Sequence, residues 1–362
     1  MLKAAEGEAK GIMCTRLRIW TFIFALLFCA GSMWGMLLFA EHKAIIIGDA
    51  ALEQAGKEAF QTEGGKELPL RFRQNGEEAS ALCIPLEAGI RAENITIENH
   101  YMERQFWIYI EGTSSAYYAR EAISGNITGI EEGNYEYAGD TVLLKFGLNS
   151  VYECKSVLEE GKLYIEFVPP REVYDKIIVI DADMQEADSF VPLAEGMEAK
   201  PDGREITDDI VKRLRLLLDG SGIKVYYTGS GTDEVSAAGR AAFANTIGAD
   251  MCISIRLNEG EDEALYGIEA LYNAEYFIPD FGNVELADSL VRHVTASVSG
   301  RGNGLFSAEE TEALLKEAKV PAAVVLVGYI SNRQERLLLQ REDYRDRIAD
   351  GLYQAILAAY EG

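Results

Sequence analysis

Histidine is scarce in this chain of 362 residues: there are three, His42, His100 and His293. They lie far apart in sequence. None of the five cysteines forms a CxxC pair or a Cys/His cluster, so a structural zinc site is not expected. Cations are also in short supply. Against 59 Asp and Glu stand 34 Lys and Arg, a formal net charge of -25, and such a field disfavours nucleic acid and anionic membrane surfaces. No internal repeat is visible. The acidity runs through segments that keep a regular apolar periodicity, which argues against disorder.

One long apolar run is present. Ile19–Ala40 is 22 residues without a charge, and about 20 are needed to cross a bilayer as a helix. Lys3, Lys10, Arg16 and Arg18 precede it, and basic flanks stay in the cytoplasm. A cleaved signal peptide would have a shorter apolar region ending in a small-x-small site, which LLFA before Glu41 does not supply. The expectation is a single-pass cell-membrane protein: residues 1–18 cytoplasmic, 19–40 a transmembrane helix, 41–67 a juxtamembrane stalk, the rest extracytoplasmic.

From about Leu68 the pattern changes to short alternating strands. Asn94–Asn99 and Gln105–Glu111 form a predicted hairpin, and Asn126–Ile130, Thr141–Leu148 and Lys162–Val168 add strands between Gly/Asn/Asp turns. Residues 68–170 are therefore expected to be all-β. Cys83 and Cys154 fall here, either paired or as two buried thiols. Pro169–Pro170 then opens another rhythm. Ile177–Asp181 is a continuous apolar strand, Thr207–Leu218 has helical spacing, and strands alternate with helices from there to a terminal helix at Tyr344–Tyr360. Residues 171–362 are expected to form an α/β domain, with helices flanking a mainly parallel sheet.

The segments IIVIDADMQEAD (Ile177–Asp188), Gly203–Glu205, MCISIRLNEG (Met251–Gly260) and PAAVVLVGYISN (Pro321–Asn332) stand in a telling order. Together they resemble the zinc-dependent N-acetylmuramoyl-L-alanine amidases of the bacterial cell wall, in which the first loop reads IDAGHGG, the third segment SIHAN and the last ExGFxSN. Asp181 and Asp188 match the first loop, Thr228 and Asp233 a turn, Arg240, Ala244–Asn245 and Ala249–Asp250 the helix leading to SIHAN. Ser254 and Asn258 bracket the second histidine, and Gly267–Glu269 resembles a GxE strand. The likeness covers about half of the chain. Residues 68–170 stand where that family carries an AMIN-type β-sandwich, a likeness of position.

The departures fall on the chemistry that the resemblance implies. The first histidine position is Met184, the second is Arg256, and the catalytic glutamate position is Leu326; of the ligands only Glu205 remains. Hydrolytic zinc needs ligands such as imidazole and carboxylate plus an open water position. Arginine has no lone pair to offer, thioether sulfur suits softer metals, and leucine moves no proton. The expectation is no zinc, no catalytic residue, and a remnant site of Asp181, Asp188, Glu205, Arg256 and Asn258. Arg256 would pair with Glu205 in place of the metal, or both would face solvent. Asp183, Glu186, Asp188 and Glu205 would hold a hard cation or form an acidic solvated loop. Cys252, in an apolar strand, reads as a core thiol rather than a nucleophile. Ser307 and Glu310 form a capping-box pattern at the head of a predicted helix, Ala308–Lys319. Tyr266, Tyr272, Tyr276 and Phe277 would line a glycan groove or sit along strand edges.

The function expected is a degenerate, membrane-anchored amidase-like protein that binds peptidoglycan or a cell-wall or envelope protein. Two alternatives stand beside it: an active peptidoglycan amidase with a rearranged metal site, and a structural envelope scaffold.

Overall fold

A computed structural model describes residues 47–49, 67–74, 80–182, 203–228, 235–309 and 311–361. The apolar run Ile19–Ala40, His42, Met184 and Asp188 lie outside them. Among the described residues no helix is long and apolar enough to cross a membrane.

The N-terminal part contains β1 (Ile47–Asp49), β2 (Leu68–Pro69), β3 (Phe72–Gln74), β4 (Leu82–Pro85), β5 (Ile95–His100) and β6 (Gln105–Glu111). A short helix α1 (Tyr117–Arg120) precedes β7 (Ile123–Gly125), β8 (Ile130–Ala138), β9 (Thr141–Leu148), β10 (Glu153–Glu159) and β11 (Lys162–Val168). They form two sheets, β1-β5-β6-β9-β8-β2 and β10-β11-β4-β7-β3. Period-2 alternation sends Ile95, Ile97, Phe106, Ile108, Val142, Leu144 and Phe146 inward from the first sheet, where they meet Leu82, Ile84, Ile123, Leu163 and Ile165 of the second. The two sheets share one core and form a sandwich.

Two details differ from the sequence reading. Asn126–Ile130 is a turn leading into β8, because the Asn126 side chain accepts from Thr128 N and folds the segment locally. Ile47–Asp49, placed in the stalk by sequence, pairs in parallel with β5. Of the two alternatives left open for Cys83 and Cys154, the structure shows free thiols.

After α2 (Pro170–Val173) comes β12 (Ile177–Ala182), buried at all six positions. A strand apolar on both sides needs cover on both. It lies inside a six-stranded sheet with α3 (Gly203–Leu218), β13 (Lys224–Thr228), α4 (Ala237–Thr246), β14 (Met251–Asn258), β15 (Ile268–Tyr272), α5 (Asn283–Val298), β16 (Gly302–Ser307), α6 (Ala313–Glu317), β17 (Ala322–Tyr329), α7 (Arg333–Leu339) and α8 (Glu342–Glu361). The order is β13-β12-β14-β17-β15-β16, parallel except where β15 runs antiparallel to β17. Helices α3, α5 and α8 cover one face through Ile206, Ile210, Leu214, Leu290, Val294, Ile348 and Leu352. Helices α4 and α6 cover the other through Phe243, Ala244, Leu314 and Leu315.

The predicted helix Ala308–Lys319 shortens to α6. Ser307 closes strand β16 instead of capping a helix, since its segment is recruited by pairing with β15.

Candidate functional site

Strands β12, β14 and β17 are parallel, so their C-terminal ends share one edge of the sheet, the edge where open α/β sheets place their sites. Helix α3 begins there. A Cβ at Gly203 would stand 3.5 Å from Leu257 and Ile330, at the ends of β14 and β17.

Asp181, expected in the remnant site, is fully buried. Its carboxylate accepts from Thr228 Oγ1 (2.7 Å) and Ser254 Oγ (2.8 Å), and lies 2.7 Å from Arg240 Nε. A buried carboxylate needs such partners, and here they tie β13, β12, β14 and α4 together. Asp181 is a girder of the sheet and not part of an open groove.

Arg256 is also buried, 6% exposed. Its Nε donates to Ser254 Oγ (3.2 Å), and its Nη1 donates to Glu312 Oε2 (3.0 Å) and Oε1 (3.3 Å). The expected pair with Glu205 does not form. The reason is the period of the strand: Ile253 and Ile255 face α3, whereas Ser254 and Arg256 face α4 and α6. Glu205, in the first turn of α3, is on the opposite face and exposed. Met184 and Asp188, and with them the Asp183 and Glu186 members of the hard-cation set, fall outside the described residues, so Glu205 is the one member of that set described.

Across the sheet, Arg256 registers with Leu326, and Leu326 with Glu269. Leu326 packs against the apolar cluster under α4 and α6. Asn258 Nδ2 donates to Glu269 Oε1 (2.6 Å), while Tyr329 Oη (3.1 Å) and Asn303 Nδ2 (3.4 Å) donate to Glu269 Oε2. Burial and the Glu269 carboxylate push the Tyr329 hydroxyl up to about 12. A register shift between Arg256 and Asn258 lets Tyr329 turn toward this carboxylate. The positions matching the second histidine and the catalytic glutamate thus hold a buried, hydrogen-bonded arginine and a packed leucine.

Tyr329 lay within the matched segment Pro321–Asn332, without a role, and Glu312 and Asn303 carried no signal in the sequence. Glu269 did, in the GxE match, without a role. The Cys252 thiol is fully buried and pushed up by that burial, a core thiol as expected. His100 stacks on Trp107 (4.0 Å) and meets Glu98 (3.2 Å) in the sandwich, and His293 bonds Ser289 O within α5. Of the aromatic set, Phe277 is 85% exposed and Tyr266 and Tyr276 about half so.

The described residues do not form a zinc site. Among the described residues no group of three or more His, Cys, Asp or Glu is placed to hold a metal ion, and a guanidinium already neutralises Glu312 where the second imidazole would stand.

Residues 178–358 match the family model Amidase_3, N-acetylmuramoyl-L-alanine amidase. The amidase CwlM of Mycobacterium tuberculosis is 28% identical over 187 residues, 51% of this chain and 45% of that protein. The amidase LytC of Bacillus subtilis is 24% identical over 157 residues, 43% of this chain and 31% of that protein. The chain thus spans less than half the length of either relative. The catalytic domain of CwlV from Bacillus (Paenibacillus) polymyxa is 22% identical, with a TM-score of 0.44 over 51% of this chain and 98% of that domain. From the buried strand β12 to the last turns of α8, half of its length, the chain belongs to the N-acetylmuramoyl-L-alanine amidase family.

Proposed function

We propose that this chain is a member of the family that has given up hydrolysis and keeps the amidase frame to bind peptidoglycan or a cell-wall protein. One observation carries the reading: at the second ligand position a buried arginine is held by Glu312 and Ser254, with Leu326 beside it where a proton-moving carboxylate would be. Zinc in such a site would acidify a bound water and polarise the scissile amide carbonyl. A protonated guanidinium can do neither, and leucine can neither take nor give a proton. The proposed layout is a cytoplasmic residue 1–18 segment, a membrane helix at 19–40, and an extracytoplasmic AMIN-like sandwich and amidase-like domain.

The test uses the full-length chain in detergent, purified without a metal-binding tag. Zinc content, release of stem peptide from purified peptidoglycan with added zinc, and co-sedimentation with the same peptidoglycan are measured together. The expected result is no stoichiometric zinc, no release, and co-sedimentation or capture of a wall protein. Stoichiometric zinc with turnover would overturn the reading in favour of a rearranged metal site. Absence of both glycan and wall-protein binding would leave the structural scaffold.

A further inference from the structure

The joint between the two domains is built unlike a tether. Glu153, the first residue of β10, turns its carboxylate out of the sandwich, and its side chain is only 12% exposed. Tyr226 Oη of β13 donates to Oε1 (2.5 Å), Tyr101 Oη of the sandwich donates to Oε2 (3.2 Å), and Lys224 Nζ of β13 lies 3.0 Å from Oε1. The Lys224 ammonium in turn sits among three rings, 4.8 Å from the centroid of Tyr226, 5.2 Å from Tyr174 and 5.3 Å from Tyr101. Tyr101 and Tyr226 meet edge to face at 5.1 Å, and Tyr226 meets Phe243 of α4 at 5.5 Å.

The apolar core crosses the same boundary. Val151, from the sandwich side, is buried in one cluster with Ile177, Val179, Tyr226 and Phe243, and Tyr101 and Met102 pack on it. The connecting segment is itself tied down: Arg171 donates to Gly248 O (2.7 Å) and Asp175 O (2.8 Å) and pairs with Asp250. Asp250 also accepts from Ile177 N (2.8 Å) and Tyr360 Oη (2.8 Å).

We infer that the sandwich and the amidase-fold domain form one rigid, cooperatively unfolding body, with the Glu153 carboxylate as the pin between them. Neighbouring domains on one chain move relative to each other by default when their interface is small and polar. Here separation would strip a partly buried carboxylate of two donors and an ammonium of the Tyr101 face, and would expose Val151. The cost of opening is paid at several groups at once, so no single hinge state is cheap. The groove edge of the sheet is therefore held at a fixed angle to the sandwich, and the sandwich acts as a spacer and not as a swinging arm.

The test is calorimetry and limited proteolysis of the full-length chain in detergent. The wild type is expected to melt in one transition, with no cleavage in residues 169–176 under native conditions. Ile108→Ala, deep in the sandwich, should then lower the melting of the whole body together. Glu153→Ala should lower the melting point by roughly 5–10 °C or split the transition, and raise linker cleavage at least about tenfold. In that background Ile108→Ala should shift the sandwich alone. Tyr226→Phe keeps the ring and removes one donor, so it should move both readouts the same way by less; it serves if Glu153→Ala does not fold. Two transitions in the wild type, or melting and cleavage unchanged in both Glu153→Ala and Tyr226→Phe, would overturn the inference.

Discussion

Arg256 occupies the position at which the family presents an imidazole, and its surroundings show how the substitution is tolerated. A lone buried guanidinium would be prohibitive, so the side chain is met by a carboxylate and a hydroxyl. Glu312, its partner, keeps 22% of its side chain exposed, so the pair is desolvated on one side only. Removing the arginine leaves that carboxylate half-buried and unpaired and takes a donor from Ser254. Arg256→Ala should therefore destabilise the protein by about 2–4 kcal/mol in urea unfolding. In a double-mutant cycle with Glu312→Gln the coupling should be about 1–3 kcal/mol. A coupling near zero would mean that the two side chains are neighbours without a stabilising interaction. The sequence alone named Arg256 and Leu326 as the departures, because motif positions are local. It could not name Glu312, which is 56 residues away and reaches Arg256 only through the packing of the β16–α6 segment.

Elements whose own sequence dictates them were legible: β12 from its unbroken apolar run and α8 from its spacing. Elements made by their neighbours were not. β16 (GNGLFS) has two glycines and no alternation, and it exists because β15 offers it a parallel partner. The same recruitment defeats the Ser307 capping pattern. Between elements, α3 is stapled to α8 by Asp209, which accepts from Arg213 Nε (2.7 Å) on its own helix and pairs with Arg345. Burial works to raise the Asp209 carboxyl, but the hydrogen bonds from Arg213 and Arg345 outweigh it and hold it below its ordinary 3.8. A depressed carboxyl contributes stability above its unfolded value and loses it as pH falls through the folded one. The stability gap between wild type and Asp209→Asn should thus be full near about pH 6 and close as pH drops below about 3.8. A gap that persists unchanged at about pH 3 would place its origin elsewhere than in the charged staple.

At the scale of the molecule the dominant fact is 25 uncompensated negative charges. Ion pairs are numerous on the surface, among them Arg292–Asp288 and Arg341–Asp343, both with more than half of each side chain exposed. Pairs of that kind contribute about 0–1 kcal/mol each and fade with salt. The excess of acids works in the other direction, because a compact body holds like charges closer than an unfolded chain does. Salt from about 10 mM to about 300 mM shortens the screening length from roughly 30 Å to under 10 Å, which relieves long-range repulsion more than it weakens contacts at 3 Å. The melting temperature of the full-length chain should therefore rise by a few degrees over this range, measured by calorimetry at constant pH near neutrality. A fall would mean that the ion-pair networks outweigh the net charge. A rise would also bear on binding, since a body with this field meets other acidic surfaces only when screened, or through a partner that carries the opposite sign.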